Sequence, residues 1–145
     1  MKWTKAVLLS LFVTFSAIPT WGDCVIADPI NFFQKETKGE VKKALLALPQ
    51  TLVVETYTGA ALADDKLVEI AHKRALRYSN AIVVIITEKP RTIVVVSSDD
   101  KDALLAAVIL EVMTAYLRDG EKDEALRAAE KLVFWRIGTI VEKKK

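Results

Sequence analysis

A three-layer α/β/α sandwich around a mixed sheet is the fold class this sequence predicts, and three observations predict it. Between Asn80 and Asp100, two β-branched runs, Ile82 to Ile86 and Ile93 to Val96, flank the polar link Glu88-Lys89-Pro90-Arg91. Runs this close read as a hairpin, and Pro90, which cannot donate to a ladder, belongs in its turn. Neither run alternates with polar residues, so helices should cover both of its faces, and the hairpin strands are expected at the centre of the sheet. Upstream, the run Thr51-Leu52-Val53-Val54-Glu55-Thr56 and the helical pattern after it form a βαβ unit with the first hairpin strand. The two strands should be parallel, with a right-handed crossover. Downstream, two helices follow in succession.

The chain opens differently. Lys2 and Lys5 precede an uncharged apolar run from Ala6 to Ile18, and then Pro19-Thr20-Trp21-Gly22. This is the layout of a secretory signal peptide, and the run is too short to span a bilayer comfortably. Residues 1–22 are therefore expected to be a leader and residues 23–145 a single domain, of ordinary size for one core. Val25 and Ala27 form a second small-residue pair, which leaves cleavage after Ala27 open. Removing two lysines and no acids lowers the basic residues from 21 to 19, against 19 acids. A formally neutral domain offers no charge argument for nucleic acid or an anionic membrane as partner. Nothing after the leader is long and apolar enough to anchor the chain, because Arg136 interrupts the stretch from Leu132 to Val141. The expectation is a periplasmic or secreted monomer.

Cys24 is the only cysteine, so no internal disulfide can form. Asp23 and Gly22 before it do not make a lipidation site. The only histidine, His72, lies on a predicted helix, so a catalytic thiol pair is not indicated. Cys24 reads as a poorly ordered terminal residue without a role.

Cys24-Val25-Ile26 with Asp28-Pro29 reads as an extended lead-in that turns at the proline. From Gly39, Val41, Ala44, Leu45 and Leu48 share a helical face, which Pro49 closes. After Gly59, Asp64 is a candidate cap for a helix with Leu67, Ile70, Ala71, Ala75 and Tyr78 on one face. His72, Lys73, Arg74 and Arg77 read as the wet side of that helix, with anion binding as the other reading. The helix from about Ala103 shows no polar side chain until Glu111, which predicts deep burial. Gly120 should end it in a left-handed cap. A last helix from about Glu121 places Ala125, Leu126, Ala129, Leu132, Val133 and Ile137 on one face, opposite salt-bridging charges.

This order resembles the TPM domain, a phosphatase-like family of secreted, periplasmic and thylakoid-lumen proteins, over roughly Val25 to Ile137. The matching motifs are Ile26-Ala27-Asp28 in the lead-in, Leu52-Val53-Val54-Glu55-Thr56, and Tyr116-Leu117-Arg118-Asp119-Gly120-Glu121. The chain departs from the family at Ser79-Asn80-Ala81, where an Asp-Asn-Gly turn is usual. It departs again at Ser97-Ser98-Asp99-Asp100-Lys101-Asp102, where a glycine-rich loop is usual.

Those two segments should meet, since the start of one hairpin strand and the end of the other lie at the same end of the sheet. The resemblance implies a metal and phosphatase site there, with Asn80, Asp99, Asp100 and Asp102 as ligands and Asp28 approaching from the lead-in. An oxygen-only set suits Ca²⁺ or Mg²⁺. The plain alternative for the acidic segment is helix capping and solvated charge. Asp64 and Asp65 belong at the opposite end. Two functions follow: a non-enzymatic exported accessory or interaction domain that meets an unidentified protein partner outside the cytoplasm and holds a divalent cation at the acidic end, or a weak metal-assisted acid phosphatase.

Overall fold

A computed structural model of the chain describes residues 24–46, 50–58, 64–78, 80–88 and 91–143, with side chains left out at 64 and 136–143. The predicted leader over residues 1–22, Ser79, Gly59, and the turn residues Lys89 and Pro90 lie outside the described residues. So do Leu48 and Pro49, expected at the end of the first helix.

Among the described residues, four strands form one sheet in the order β1-β2-β3-β4: β1 Cys24–Ala27, β2 Thr51–Tyr57, β3 Ala81–Thr87 and β4 Thr92–Ser97. Strands β1, β2 and β3 are parallel, with Ala27 beside Glu55 and Thr51 beside Ala81, and β4 runs antiparallel to β3. The helices are α1 Lys35–Ala44, α2 Asp64–Ala75, α3 Ala103–Arg118 and α4 Lys122–Lys143. A 3-10 turn over Asp100–Asp102 leads into α3.

Alternation along the strands sorts their side chains into two cores. Leu52, Val54, Ile82, Val84 and Ile86 pack with Val41 of α1, Ile109 and Met113 of α3, and Leu126 and Ala129 of α4. Val53, Ala81, Val83 and Ile85 pack with Leu67, Ala71 and Ala75 of α2 on the other face. The molecule is thus the expected α/β/α sandwich with a mixed sheet, a βαβ unit, a hairpin and two C-terminal helices. No helix among the described residues is long and apolar enough to cross a membrane.

Several expectations change. The lead-in is a true strand, and Cys24, 2% exposed, belongs to the larger core rather than to a loose terminus. With β1 added beside β2, the central strands are β2 and β3. The Ile93 strand, expected at the centre, lies at the edge with all six residues half-buried. Helix α1 starts at Lys35, before Gly39. Helix α3 is not buried all round: Ile109 is fully enclosed, Val108 is half-buried and Leu104 is 77% exposed. Its apolar composition therefore faces solvent along one side. Gly120, at φ +78°, ends α3 as expected, with Glu121 N–H donating to the Tyr116 carbonyl at 2.9 Å.

Candidate functional site

The predicted site residues divide between the two ends of the sheet. Asn80 precedes β3 and Asp99 follows β4, so the structure brings these together. There Gln50, just before β2, donates from Nε2 to the Asn80 carbonyl at 2.8 Å and to Asp102 Oδ2 at 3.4 Å. Thr51 N–H also donates to the Asn80 carbonyl, at 3.0 Å. Asn80 sits at φ +56°, a left-handed conformation that Asn tolerates better than most residues. Its place is explained by backbone shape and a doubly used carbonyl. Ser98 closes the hairpin strands: its N–H donates to the Ala81 carbonyl at 2.9 Å, and its Oγ accepts the Ala81 N–H at 2.7 Å.

The three carboxylates of the acidic segment do different things. Asp99 caps the 3-10 turn, accepting the Lys101 N–H at 3.1 Å, with Lys101 Nζ 3.6 Å from its other oxygen. Asp100 is exposed. Asp102 is 3% exposed and points in towards Gln50. Among the described residues, no group of three or more His, Cys, Asp or Glu side chains is placed to hold a metal ion.

Asp28 does not approach this end. It follows Ala27, which lies beside Glu55, and so stands level with Thr56, whereas Asn80 lies beyond the Thr51–Ala81 pair. The two are separated by about six residues of strand, on the order of 20 Å. The parallel alignment of β1 with β2 forces this separation. At its own end the Asp28 side chain is 1% exposed, although its backbone is not fully covered. Its oxygens accept the N–H groups of Phe32 at 2.7 Å and Phe33 at 2.9 Å and the Thr56 hydroxyl at 2.8 Å, with Lys38 Nζ at 3.2 Å. Burial by itself would raise its pKa. The backbone donors of Phe33 and Phe32, with Thr56 and Lys38, outweigh that and hold it below the ordinary carboxylate value.

Two further clusters were not singled out by sequence reasoning. On the α2 face, buried Glu55 accepts the Tyr57 hydroxyl and pairs with Arg74, so Arg74 is not simply part of a wet face. Burial, then the bond to Glu55, pushes the Tyr57 phenol up. The signal was available: a lone glutamate in an otherwise apolar strand needs a partner on the covering helix. The second cluster is a hollow of about 190 Å³ between the start of β4 and the end of α3, lined by Arg91, Ile93, Thr114, Leu117 and Arg118. Arg91 donates to the Leu117 carbonyl at 3.2 Å and to Glu88 at 2.6 Å, while Thr114 donates to the Leu110 carbonyl at 2.6 Å. The hollow is smaller than the roughly 300–1,000 Å³ usual for small-molecule sites.

No family model and no curated protein matches the chain. Solved structures do. The chain is similar to the N-terminal domain of the cg2496 protein from Corynebacterium glutamicum, with TM-score 0.64 and 10% identity over 83% of each chain. It is also similar to the N-terminal domain of a protein from P. gingivalis, with TM-score 0.55 and 14% identity over 78% of this chain and 83% of that one. At these identities the likeness establishes a shared fold and nothing about chemistry.

Proposed function

We propose that this chain is an exported TPM-like accessory or interaction domain, which acts outside the cytoplasm by contact with another protein. The observation that carries the reading is the engagement of the carboxylates put forward as ligands. Asp28 closes a buried turn, Asp99 caps the start of a helix, and Asp102 faces Gln50. We read the acidic segment as a capping device; the metal-assisted phosphatase would need Asp99 and Asp102 to leave these bonds and converge on one ion.

Two experiments test this. Hydrolysis of p-nitrophenyl phosphate in millimolar Mg²⁺ or Ca²⁺ should not exceed the buffer rate. Robust turnover, lost in Asp99→Asn combined with Asp100→Asn, would replace the interaction reading with the phosphatase. Export is tested by mass spectrometry of the protein outside the cytoplasm, where we expect Asp23 as the first residue and no acyl chain on Cys24. Cleavage after Ala27 would remove β1 from the sheet, which favours the earlier site.

A further inference from the structure

Strand β4 is an edge of the sheet among the described residues. Its hydrogen-bonding sense follows from Ser98, whose N–H reaches the Ala81 carbonyl. Bonded positions alternate in an antiparallel pair, so Val96, Val94 and Thr92 turn their backbone groups to β3. Ser97, Val95 and Ile93 turn theirs off the edge. Nothing in the strand blunts that edge: Thr92-Ile93-Val94-Val95-Val96-Ser97 holds no charge and no proline, and its register with β3 runs without a bulge. Charge is instead placed at its two ends. Arg91 precedes it, with Arg118 in the same hollow, and Asp99 and Asp100 follow it.

We infer that this edge pairs with β4 of a second copy of the chain, antiparallel across a twofold axis at Val95, which joins two sheets into one. The outward-facing positions select the register: Val95 lies opposite Val95 of the partner subunit, and Ile93 opposite Ser97 of the partner subunit. The same register sets Arg91 against Asp99 of the partner subunit, and the symmetry repeats that contact. Within the chain Arg91 faces Glu88 at 2.6 Å and Asp99 faces Lys101 at 3.6 Å, both partly exposed pairs, so the new contact adds to two screened ones and leaves the Asp99 cap in place. A parallel arrangement would set Arg91 against Arg91, so charge favours the antiparallel one. Helix α3 leaves room for a neighbour on this side. Ala103 and Ala107, which share a helical side with the hollow residue Thr114, are small and exposed.

The inference deepens the interaction reading by naming the partner as a second copy, in place of the expected monomer. Sedimentation equilibrium of the full chain over a hundredfold concentration range should show a reversible dimer. The Val95 N–H points off the edge, so Val95→Pro removes no bond to β3 and should weaken association at least about tenfold with an unchanged far-ultraviolet spectrum. Arg91→Asp and Asp99→Arg should each weaken it by about tenfold, and together restore it to within about threefold, because the register exchanges the two charges. The charge exchange decides the matter if the proline variant does not fold. A chain monomeric at every concentration, or a dimer indifferent to all three substitutions, overturns the inference. Either result leaves the interaction reading to the phosphate-ester assay, which fails or succeeds independently.

Discussion

At one end of the sheet a single carboxylate, Asp28, gathers four donors from the following turn, from β2 and from α1. At the other end three carboxylates stand within four residues, yet one is exposed, one caps a short turn and one faces a glutamine. The crowded end draws attention in the sequence, and the solitary residue makes more bonds. Density of charge along a chain reports where water and helix starts are, while a lone acid beside apolar strands reports a buried network.

The largest effect that sharpens this contrast should come from Asp28→Ala, which strips the acceptor from two backbone N–H groups and leaves Lys38 without its carboxylate. A loss of about 3 kcal/mol is expected in urea unfolding. Asp28→Asn retains one acceptor and should cost less. Because the folded pKa is depressed, the stability from Asp28 is present above the ordinary value of 3.8 and is lost as pH falls through the lower folded value. Acid unfolding followed below pH 4 should therefore be flatter in Asp28→Asn than in the parent.

At the crowded end, Gln50→Ala removes donors to Asp102 and to the Asn80 carbonyl, and should cost about 1–2 kcal/mol by the same measurement. Asp99→Ala loses a cap and an exposed pair with Lys101, at about 1 kcal/mol for the isolated chain. Asp100→Asn, on an exposed residue, should stay within about 0.5 kcal/mol of the parent, and millimolar Ca²⁺ should leave the melting temperature where it was. A melt that climbs with Ca²⁺ and loses that response in Asp100→Asn would break the contrast and make the acidic end a cation site.

Much of the fold was legible along the chain. The hairpin, the parallel βαβ unit, the left-handed Gly120 and the buried faces of α2 and α4 all follow from spacing, turn chemistry and chain handedness. The candidate site was legible only in part: the meeting of Asn80 with Asp99 follows from the hairpin, but the bonds that engage them come from Gln50 and Thr51 at the Asn80 carbonyl and from Lys101 at the Asp99 carboxylate. Leu104 shows another limit, since an apolar run predicts burial on every side and cannot say which side meets no neighbour.

What the sequence determined by itself is local: periodicity, caps and strand direction depend on residues close in the chain, whose geometry the backbone constrains. The tertiary structure decided which strand is the edge, where Cys24 lies and what Asp28 holds. Each of those depends on β1 pairing with residues some 28 positions away, Cys24 with Leu52 and Asp28 with Thr56. Four residues of lead-in carry too little pattern to announce a strand, and they gain their place only when the β2 edge offers bonds and the core closes over Cys24.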